Sequence, residues 1–428
     1  MMEKRFDYII VGAGVGGATI ARELSKKSKS ILVIEKGEME KSYGTFMDSA
    51  RYFDVNKATK IPKKSKEGVT IWRAFMAGGS AFVSAGNFFR CLESDFKSMG
   101  IDLNDEFLEA EKELHVAPLD DSLISEGSRT IASAAKELGY SMDPMMKAID
   151  SKKCIRCGLC MLGCKTGAKW TPVEYLNEAL DNGVKIMYNT SVKNVISENG
   201  KVVGVTASSS NKEVTFYANT VILSAGGLAT PVILQSSGIL EAGSNLFIDL
   251  LVTTYGIHEN LNLIKEPQMS MVNLEFHNSK GFMLSPCVNH PRQLRFLEAG
   301  VKGFSLPTQR ILGIMTKISD DATGRVYPDG SVSKDLTESD LEKIRQGTSI
   351  SREILVKAGV DPDSFVETQP AGAHPGGTAA IGHVVDTNLQ TKINNLYVCD
   401  ASVFPKAPGL PPILTIIALS KRLAKHLT

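Results

Sequence analysis

The sequence predicts an α/β fold: a Rossmann-like dinucleotide-binding domain joined to an α+β second domain made mainly of antiparallel sheet. Three observations predict it: an N-terminal strand, glycine turn, helix and strand; a second apolar strand that runs into glycines after residue 223; and longer alternating strands in the middle of the chain. With 428 residues the chain suits two joined domains. We expect the first domain to comprise 1–238 and 367–428, with a cysteine-rich loop at 151–170, and the second to comprise 239–366.

The N-terminal unit carries a dinucleotide-binding pattern. A buried strand at 8–11 leads into Gly12, Gly14 and Gly17 in G-x-G-x-x-G spacing, then a helix and a second strand that ends in Glu35. Such glycines allow a tight turn and a close approach to a pyrophosphate, while an acid at this distance accepts from a ribose hydroxyl and disfavours NADP. This segment alone does not distinguish NAD from FAD.

Hydrophobic periodicity and turn residues predict the remaining elements. Three strands separated by Asn199-Gly200 and Ser210-Asn211 predict a meander, and the next strand, 221–223, brings Ala225 and Gly226 to a second position where a strand end can meet a cofactor. Helices are expected within 102–139, at 173–180, at 338–358 between Thr337 and Gly359, and after Pro412. The three meander strands are expected at 191–196, 202–207 and 213–217. Further strands are expected at 269–276, 281–284, 311–318 and 396–399, with a hairpin at Asp329-Gly330.

Composition describes an ordinary globular protein, with 43% hydrophobic and 22% charged residues. A formal net charge of +1 argues against nucleic-acid partners, which need a basic excess. No apolar run approaches the roughly 18 residues of a transmembrane helix, and the first apolar run is the dinucleotide strand instead of a signal peptide. We therefore expect no transmembrane segment and a cytoplasmic location.

Four of the seven cysteines are crowded into one short run. Cys154, Cys157, Cys160 and Cys164 have C-x-x-C-x-x-C-x-x-x-C spacing, which resembles a bacterial-type ferredoxin signature with Lys165 in the usual proline position. The run predicts a 4Fe-4S cluster, with an inherited structural loop as the alternative. Zinc fits this spacing poorly, and a disulfide is disfavoured in a reducing compartment. The remaining cysteines, Cys91, Cys287 and Cys399, are remote alternatives for the fourth ligand.

A lysine-containing segment follows the dinucleotide unit. It is either a solvated surface loop or a docking patch for an acidic electron carrier. Its lysines are Lys57, Lys60, Lys63, Lys64 and Lys66.

The C-terminal stretch HPGGTAAIGHVVDTNLQTKINNLYVCDASVFPKAPGLPPILTIIAL resembles the glucose-methanol-choline (GMC) oxidoreductases, most closely their cholesterol-oxidase-like and long-chain-alcohol-oxidase-like branch. The N-terminal glycine motif agrees, as do GGSAFVSAGNFFR, GCKTGAKWTPVEYL and VILSAGGLATPVILQSSG. Together these stretches cover most of the chain outside the second domain.

This resemblance implies FAD as the cofactor. It implies that Gly12, Gly14, Gly17 and Glu35 hold the ADP half and that Val192 borders the adenine. Residues that line the flavin would be Gly78, Gly79, Ser80 and Ser84, whereas Asp400 and Ala401 would lie by the ribityl chain and pyrophosphate. The helix that starts at Pro412 and Ile413 would direct its positive end toward the flavin and stabilise the negative charge of reduction.

The resemblance also assigns the catalytic base to His374, whose ordinary pKa near neutrality suits it to accept and return the substrate hydroxyl proton. The family's second polar residue, an asparagine or histidine, falls on Pro411, which has no donor, and Ser84 replaces a common asparagine. We expect His374 to act alone or with a second-domain residue, for which His290 is one candidate.

The leading hypothesis is a dehydrogenase that oxidises a CH–OH group by hydride transfer to FAD. Electrons would leave through the cluster to a ferredoxin-like or other non-oxygen acceptor. One alternative is a ferredoxin-driven reductase of a carbonyl or C=C bond, and another is an electron-transfer subunit of a larger complex. Apolar second-domain strands hint at a bulky or hydrophobic small-molecule substrate.

Overall fold

The structure, a computed structural model, describes residues 5–27, 29–56, 62–299, 303, 306, 307 and 309–428. Within these residues a first sheet has seven strands: β1 (Arg5–Val11), β2 (Ile31–Ile34), β7 (Lys185–Met187), β8 (Thr190–Glu198), β9 (Lys201–Ser209), β10 (Lys212–Leu223) and β19 (Leu396–Val398). Neighbours are parallel along β7-β2-β1-β10-β19, and β9 and β8 continue from β10 as antiparallel strands. The predicted meander is confirmed. The strand predicted at 221–223 is the far end of β10, which continues past the meander to pair with β1.

Glycines allow the first helix, α1 (Val15–Ser25), to pack closely on this sheet. A side chain at Gly17 would overlap the carbonyl of Gly12, and Gly12 itself has a φ of +101°. The buried strand β1, the turn and α1 therefore form the predicted dinucleotide-binding unit.

The second sheet has six strands in the described part of the chain: β3 (Thr70–Ile71), β11 (Leu250–Ile257), β13 (Phe282–Pro286), β14 (Ile311–Ile318), β17 (Val366–Glu367) and β18 (Ala371–Gly372). Its order is β13-β14-β11-β18-β3, with β17 also paired to β11, and all pairs except β18 with β3 are antiparallel. The mainly antiparallel second sheet is thus confirmed. The domain limits 239 and 366 stay a prediction, and β3 and β18 lie outside them.

One predicted strand is wrong. The segment predicted as a strand at 269–276 forms only the two-residue strand β12 (Met271–Val272), and helix α9 (Glu275–Lys280) follows. The backbone departs from extended geometry at Met269, with a φ of +56°, and at Leu274, which adopts helical angles. The alternating apolar pattern in the sequence is therefore longer than the strand that the structure forms there.

The other short strands are β4 (Ala117–Pro118) with β6 (Met146–Lys147), β5 (Asp143–Pro144) with β12, and β15 (Arg325–Val326) with β16 (Val332–Ser333). The last pair confirms the predicted hairpin. The remaining helices are α2 (Phe46–Tyr52), α3 (Gly79–Phe82), α4 (Glu93–Ser98), α5 (Asn104–Leu114), α6 (Glu126–Glu137), α7 (Pro172–Asp181), α8 (Thr230–Ser236), α10 (Pro291–Gln293), α11 (Glu338–Lys357) and α12 (Ile413–His426).

Helix α11 covers the second sheet and begins as predicted. The Thr337 hydroxyl accepts from the Asp340 N–H at 3.1 Å in a capping box, and Gly359 has a φ of +89° just past the helix. Gly347 packs against Thr316 of β14, where any added side chain would overlap the threonine methyl. Among the described residues, no helix is long and apolar enough to cross a membrane.

Candidate functional site

A cavity of about 760 Å³ is lined by residues from both sheets. Fourteen of the sixteen residues that the sequence assigned to the cofactor and the catalytic base lie in its wall. They are Gly12, Gly14, Glu35, Gly79, Ser80, Ser84, Val192, Ala225, Gly226, His374, Asp400, Ala401, Pro412 and Ile413. Gly17 and Gly78 lie behind the wall, where Gly17 meets the Gly12 carbonyl and the Gly78 N–H donates to the Ala13 carbonyl at 2.8 Å.

Glu35 is fixed at the carboxyl end of β2. Its two carboxylate oxygens accept the N–H groups of Ala13 and Gly37 at 2.8 and 2.7 Å, and its exposure is only 7%. Burial raises the pKa of Glu35, and the two backbone donors oppose that shift. The carboxylate thus ties the glycine turn to the strand end and keeps lone pairs for a hydroxyl donor in the cavity.

Two glycine backbones approach each other closely in the wall of the cavity. A Cβ on Gly79, which has a φ of +56°, would lie 3.0 Å from the Gly14 Cα. Both residues line the cavity, so side chains here would occupy space beside the helix α1 N-terminus. This is the arrangement that lets a pyrophosphate approach the backbone.

Asp400 connects three segments of the wall. Its Oδ2 accepts from the Gly226 N–H at 2.7 Å and from the Thr230 hydroxyl at 2.6 Å, and its Oδ1 accepts from the Ser402 N–H at 2.8 Å. The carboxylate therefore holds the turn after β10 against the turn after β19.

The start of α12 closes another part of the cavity. Pro412 and Ile413 line it. The first N–H groups of any α-helix lack intrahelical acceptors, and no side chain caps those of α12. Within the first turn, the Thr415 hydroxyl accepts from the Cys91 N–H at 2.8 Å, which anchors the helix start to the segment before α4.

These features fit FAD. The cavity offers a glycine cradle for a pyrophosphate, an anchored acid for ribose hydroxyls and an uncapped helix start for a flavin that becomes negative on reduction. Residues that would hold the ADP half are Gly12, Gly14 and Glu35, and those that would hold the flavin half include Ser80, Ser84 and Ile413.

His374 belongs to a buried triangle of polar atoms in the cavity wall. Its Nδ1 lies 2.7 Å from Lys317 Nζ and 3.0 Å from Asp249 Oδ2, and these two partners are 3.1 Å apart. Asp249 is fully buried and Lys317 is 2% exposed, whereas the His374 side chain is 24% exposed. Since Nδ1 is engaged, Nε2 is the ring nitrogen left for a substrate.

Electrostatics in the triangle favour a carboxylate beside a neutral imidazole. Burial and the neighbouring Lys317 lower the pKa of His374, and Asp249 opposes them. Burial alone would raise the pKa of Asp249, but Lys317, His374 and the Gly409 N–H, 2.9 Å away, lower it. Burial also lowers the pKa of Lys317, against the attraction of Asp249.

Sequence reasoning missed Asp249 and Lys317. Each is a single charged residue within an apolar run, FIDLLV and ILGIMTKI, and that isolation is the signal that could have found them. Pro411 lines the cavity, as its position in the sequence suggested. The suggestion of His290 is wrong, because this residue is outside the cavity wall and stacks on Phe46 with ring centroids 5.7 Å apart.

Apolar side chains also line the cavity. Leu251 is on β11 and Met315 is on β14, whereas Met269 comes from a loop and Met161 from the 3-10 turn Cys160–Leu162. Flexible thioethers adapt to irregular apolar molecules, so this part of the wall suits a hydrophobic substrate.

The four clustered cysteines line one small separate pocket. All seven cysteines, each within the described residues, are free thiols. Burial alone would raise the pKa of Cys164, but the Thr166 hydroxyl, backbone N–H groups and Lys169 lower it. No group of three or more cysteine, histidine or acidic side chains in the described part of the chain is arranged to hold a metal ion. The cysteines are therefore brought together, but not in a metal-binding arrangement.

Lys169 lies between the cysteine pocket and the cavity. It lines the cysteine pocket, and its Nζ donates to the carbonyls of Cys160, Phe82 and Ser84 at 3.0, 2.9 and 2.6 Å. Burial lowers the pKa of Lys169 to about 8. A buried cation thus connects the cysteine loop to the segment that contributes Ser84 to the cavity wall.

The lysine segment is only partly described, since Lys57 and Lys60 lie outside the described residues. Lys63 donates to the Gly330 carbonyl at 2.6 Å and lines the cavity, and the Lys66 ammonium lies 3.8 Å from the centre of the Tyr327 ring. These two lysines are engaged within the molecule.

Comparison with known proteins identifies the family. The family model described as GMC oxidoreductase matches residues 6–261 and, in its C-terminal part, 315–420. MJ1450, an uncharacterized protein of Methanocaldococcus jannaschii, is 34% identical over 99% of this chain and 100% of its own length. Long-chain-alcohol oxidase FAO3 of Arabidopsis thaliana is 23% identical over 99% of this chain and 68% of its own length.

Solved structures agree on the fold. Pyridoxine 4-oxidase from Mesorbium loti has a TM-score of 0.75 at 17% identity, over 99% of each chain. A formate oxidase of Aspergillus oryzae has a TM-score of 0.76 at 18% identity, over 99% of this chain and 98% of its own. The chain belongs to the GMC oxidoreductase family and is an FAD-dependent oxidoreductase that acts on CH–OH donors.

Proposed function

We propose that this enzyme oxidises the CH–OH group of a bulky, apolar alcohol, with His374 accepting the hydroxyl proton. The observation that carries the proposal is the position of His374, which lines the cofactor cavity while Asp249 and Lys317 occupy its Nδ1. FAD, when bound, accepts the hydride from the carbinol carbon. Nε2 accepts the proton, and the leucine and methionine side chains that line the cavity exclude water from the reacting carbon.

The test is anaerobic bleaching of the bound flavin by a panel of straight-chain primary alkanols of increasing length. His374→Gln should lower the bleaching rate by about 100- to 10,000-fold, the usual contribution of a general base, with flavin retained. His383→Gln, at an exposed histidine outside the cavity wall, is the matched control and should bleach like the wild type. Equal rates in His374→Gln and the wild type would remove His374 as the base.

In a second candidate function, the electrons leave the enzyme through an iron-sulfur cluster. In it, Cys154, Cys157, Cys160 and Cys164 hold a 4Fe-4S cluster that passes electrons to a ferredoxin-like carrier. In its favour, all four cysteines line one pocket, and Lys169 of that pocket bonds to the flavin-lining segment. Against it, the described residues contain no metal-binding group as arranged, so no catalytic step is derived from a cluster.

Anaerobic purification followed by iron and sulfide analysis and EPR tests this candidate. About four irons and four sulfides per chain, lost in Cys157→Ser and kept in Cys399→Ser, would support it. Cys399 is the control because it is buried against Ser420, away from the cysteine pocket. Iron at background level in the wild type would leave the run as a structural loop.

A further inference from the structure

Two side chains, Asp249 and Lys317, lie within hydrogen-bond distance of His374 Nδ1, which can form a hydrogen bond with only one of them at a time. Nδ1 lies within hydrogen-bond distance of a carboxylate, which can only accept, and of a lysine, which donates when charged. A ring nitrogen carries either one hydrogen or one lone pair, so it serves one neighbour at a time. The ionisation state of Lys317 therefore decides which tautomer His374 adopts.

We infer that Lys317 is a second proton acceptor: it receives the Nδ1 proton of His374 when Nε2 accepts the proton of the substrate hydroxyl. This inference rests on the proposed role of His374. Because Lys317 acts through His374, it is a positioning residue.

The step balances as follows. In the state ready for oxidation, Lys317 is a neutral amine and accepts from Nδ1–H. The hydroxyl O–H bond breaks as Nε2–H forms, and Nδ1–H breaks as a new N–H forms on Lys317. Bound FAD would supply the acceptor for the hydride of the carbinol C–H bond, and the C–O bond of the substrate would become C=O. The site gains one proton, which ends as a Lys317 ammonium 3.1 Å from the Asp249 carboxylate.

Basicity directs the proton to Lys317 instead of leaving it on the ring. The Asp249 carboxylate lies 3.0 Å from His374 Nδ1 and 3.1 Å from Lys317 Nζ, so it stabilises a positive charge on either group. An amine has the higher ordinary pKa, about 10.4 against about 6.5 for an imidazole, so it holds the proton more tightly. The titratable groups that act on the Lys317 ammonium are Asp249, Cys91 and Asp320, together with His374.

A consequence concerns the direction of the reaction. With Lys317 charged, its ammonium donates to Nδ1 and leaves Nε2 protonated, ready to donate to a carbonyl oxygen. With Lys317 neutral, Nε2 is free to accept from an alcohol. Alcohol oxidation should therefore increase as the pH rises through the Lys317 pKa, and carbonyl reduction should decrease.

Nitrogen-15 NMR of the histidine rings in the holoenzyme tests this without substrate, with the His374 signal assigned by its loss in His374→Gln. We expect the Nε2–H tautomer at neutral pH in the wild type and the Nδ1–H tautomer, bonded to Asp249, in Lys317→Met. Lys421→Met is the matched control, since it removes a buried lysine of α12 that pairs with Glu109 at 2.8 Å outside the cavity wall, and it should leave the His374 tautomer unchanged.

The same tautomer in Lys317→Met and the wild type would overturn the inference. If Lys317→Met fails to fold, the wild type alone decides: its tautomer should convert to Nδ1–H as the pH rises, and an unchanged tautomer up to about pH 10 contradicts the relay. Flavin bleaching separates this from the proposed function. Loss of bleaching in His374→Gln with an unchanged tautomer in Lys317→Met would refute the relay and keep His374 as the base.

Discussion

Two adjacent glycines allow the cofactor cradle to be tested with an internal control. Gly78 and Gly79 both have positive φ values, +85° and +56°, so alanine at either position costs about 1–2 kcal/mol of stability. Their added Cβ atoms have different neighbours. At Gly79 the Cβ meets the Gly14 backbone at 3.0 Å in the cavity wall, whereas at Gly78 it meets side-chain carbons of Val173 and Phe82 at 3.2 and 3.3 Å, behind the wall.

The backbone strain is common to both variants and cancels in the comparison. What remains is the place of the added methyl group: on Gly79 it lies in the cavity wall, where bound FAD would have to accommodate it, and overpacking of about 1–3 kcal/mol there corresponds to roughly 5- to 150-fold weaker FAD binding. Thermal unfolding of the two apoproteins measures the stability cost of each substitution, and fluorescence titration of FAD into each gives the difference in affinity. FAD affinities that agree within about twofold would show that Gly14 and Gly79 do not form the pyrophosphate cradle.

Three further changes test the frame of the site. The Asp400 carboxylate accepts three hydrogen bonds, and Asp400→Asn replaces one acceptor oxygen with an NH₂ group. This variant should lower apoprotein stability by about 1–3 kcal/mol in urea unfolding and should weaken FAD binding in a titration. Gly347→Ala should lower stability by about 1–3 kcal/mol through overlap with Thr316, with FAD affinity unchanged because Gly347 is outside the cavity wall. Met315→Ala should shift the fastest flavin bleaching toward longer or bulkier alkanols, and an unchanged order of alkanols would place the substrate elsewhere in the cavity.

The parts predicted correctly are those governed by short-range chemistry. The glycine turn, Thr337 as a helix cap and the strand at Ile311–Ile318 depend on residues close in sequence, and each is observed. The strand predicted at 269–276 fails because a left-handed residue at Met269 and the turn into α9 override the apolar alternation. Local periodicity could not anticipate either.

The triangle around His374 could not be predicted because it depends on tertiary structure. Asp249 precedes β11, Lys317 is on β14, and β11 pairs antiparallel with β14, which brings both charges to one end of a hairpin-like pair. His374 follows β18, which pairs with the same β11. The cysteine spacing, in contrast, predicted a 4Fe-4S cluster; the four cysteines do line one pocket, but no metal-binding group is assembled among the described residues.

The pairing of β10 has a consequence for biosynthesis. Its two parallel partners, β1 and β19, are separated by nearly the whole chain, and the strands β11 to β18 are translated between β10 and β19. When a nascent chain has emerged only as far as β9, β1 can pair with β2 but lacks β10 on its other side. That side of β1 is then an open strand edge of the kind that chaperones shield. The cavity wall includes residues from the turn after β19 and from the start of α12, so it is complete only when the last thirty or so residues of the chain have joined the first sheet.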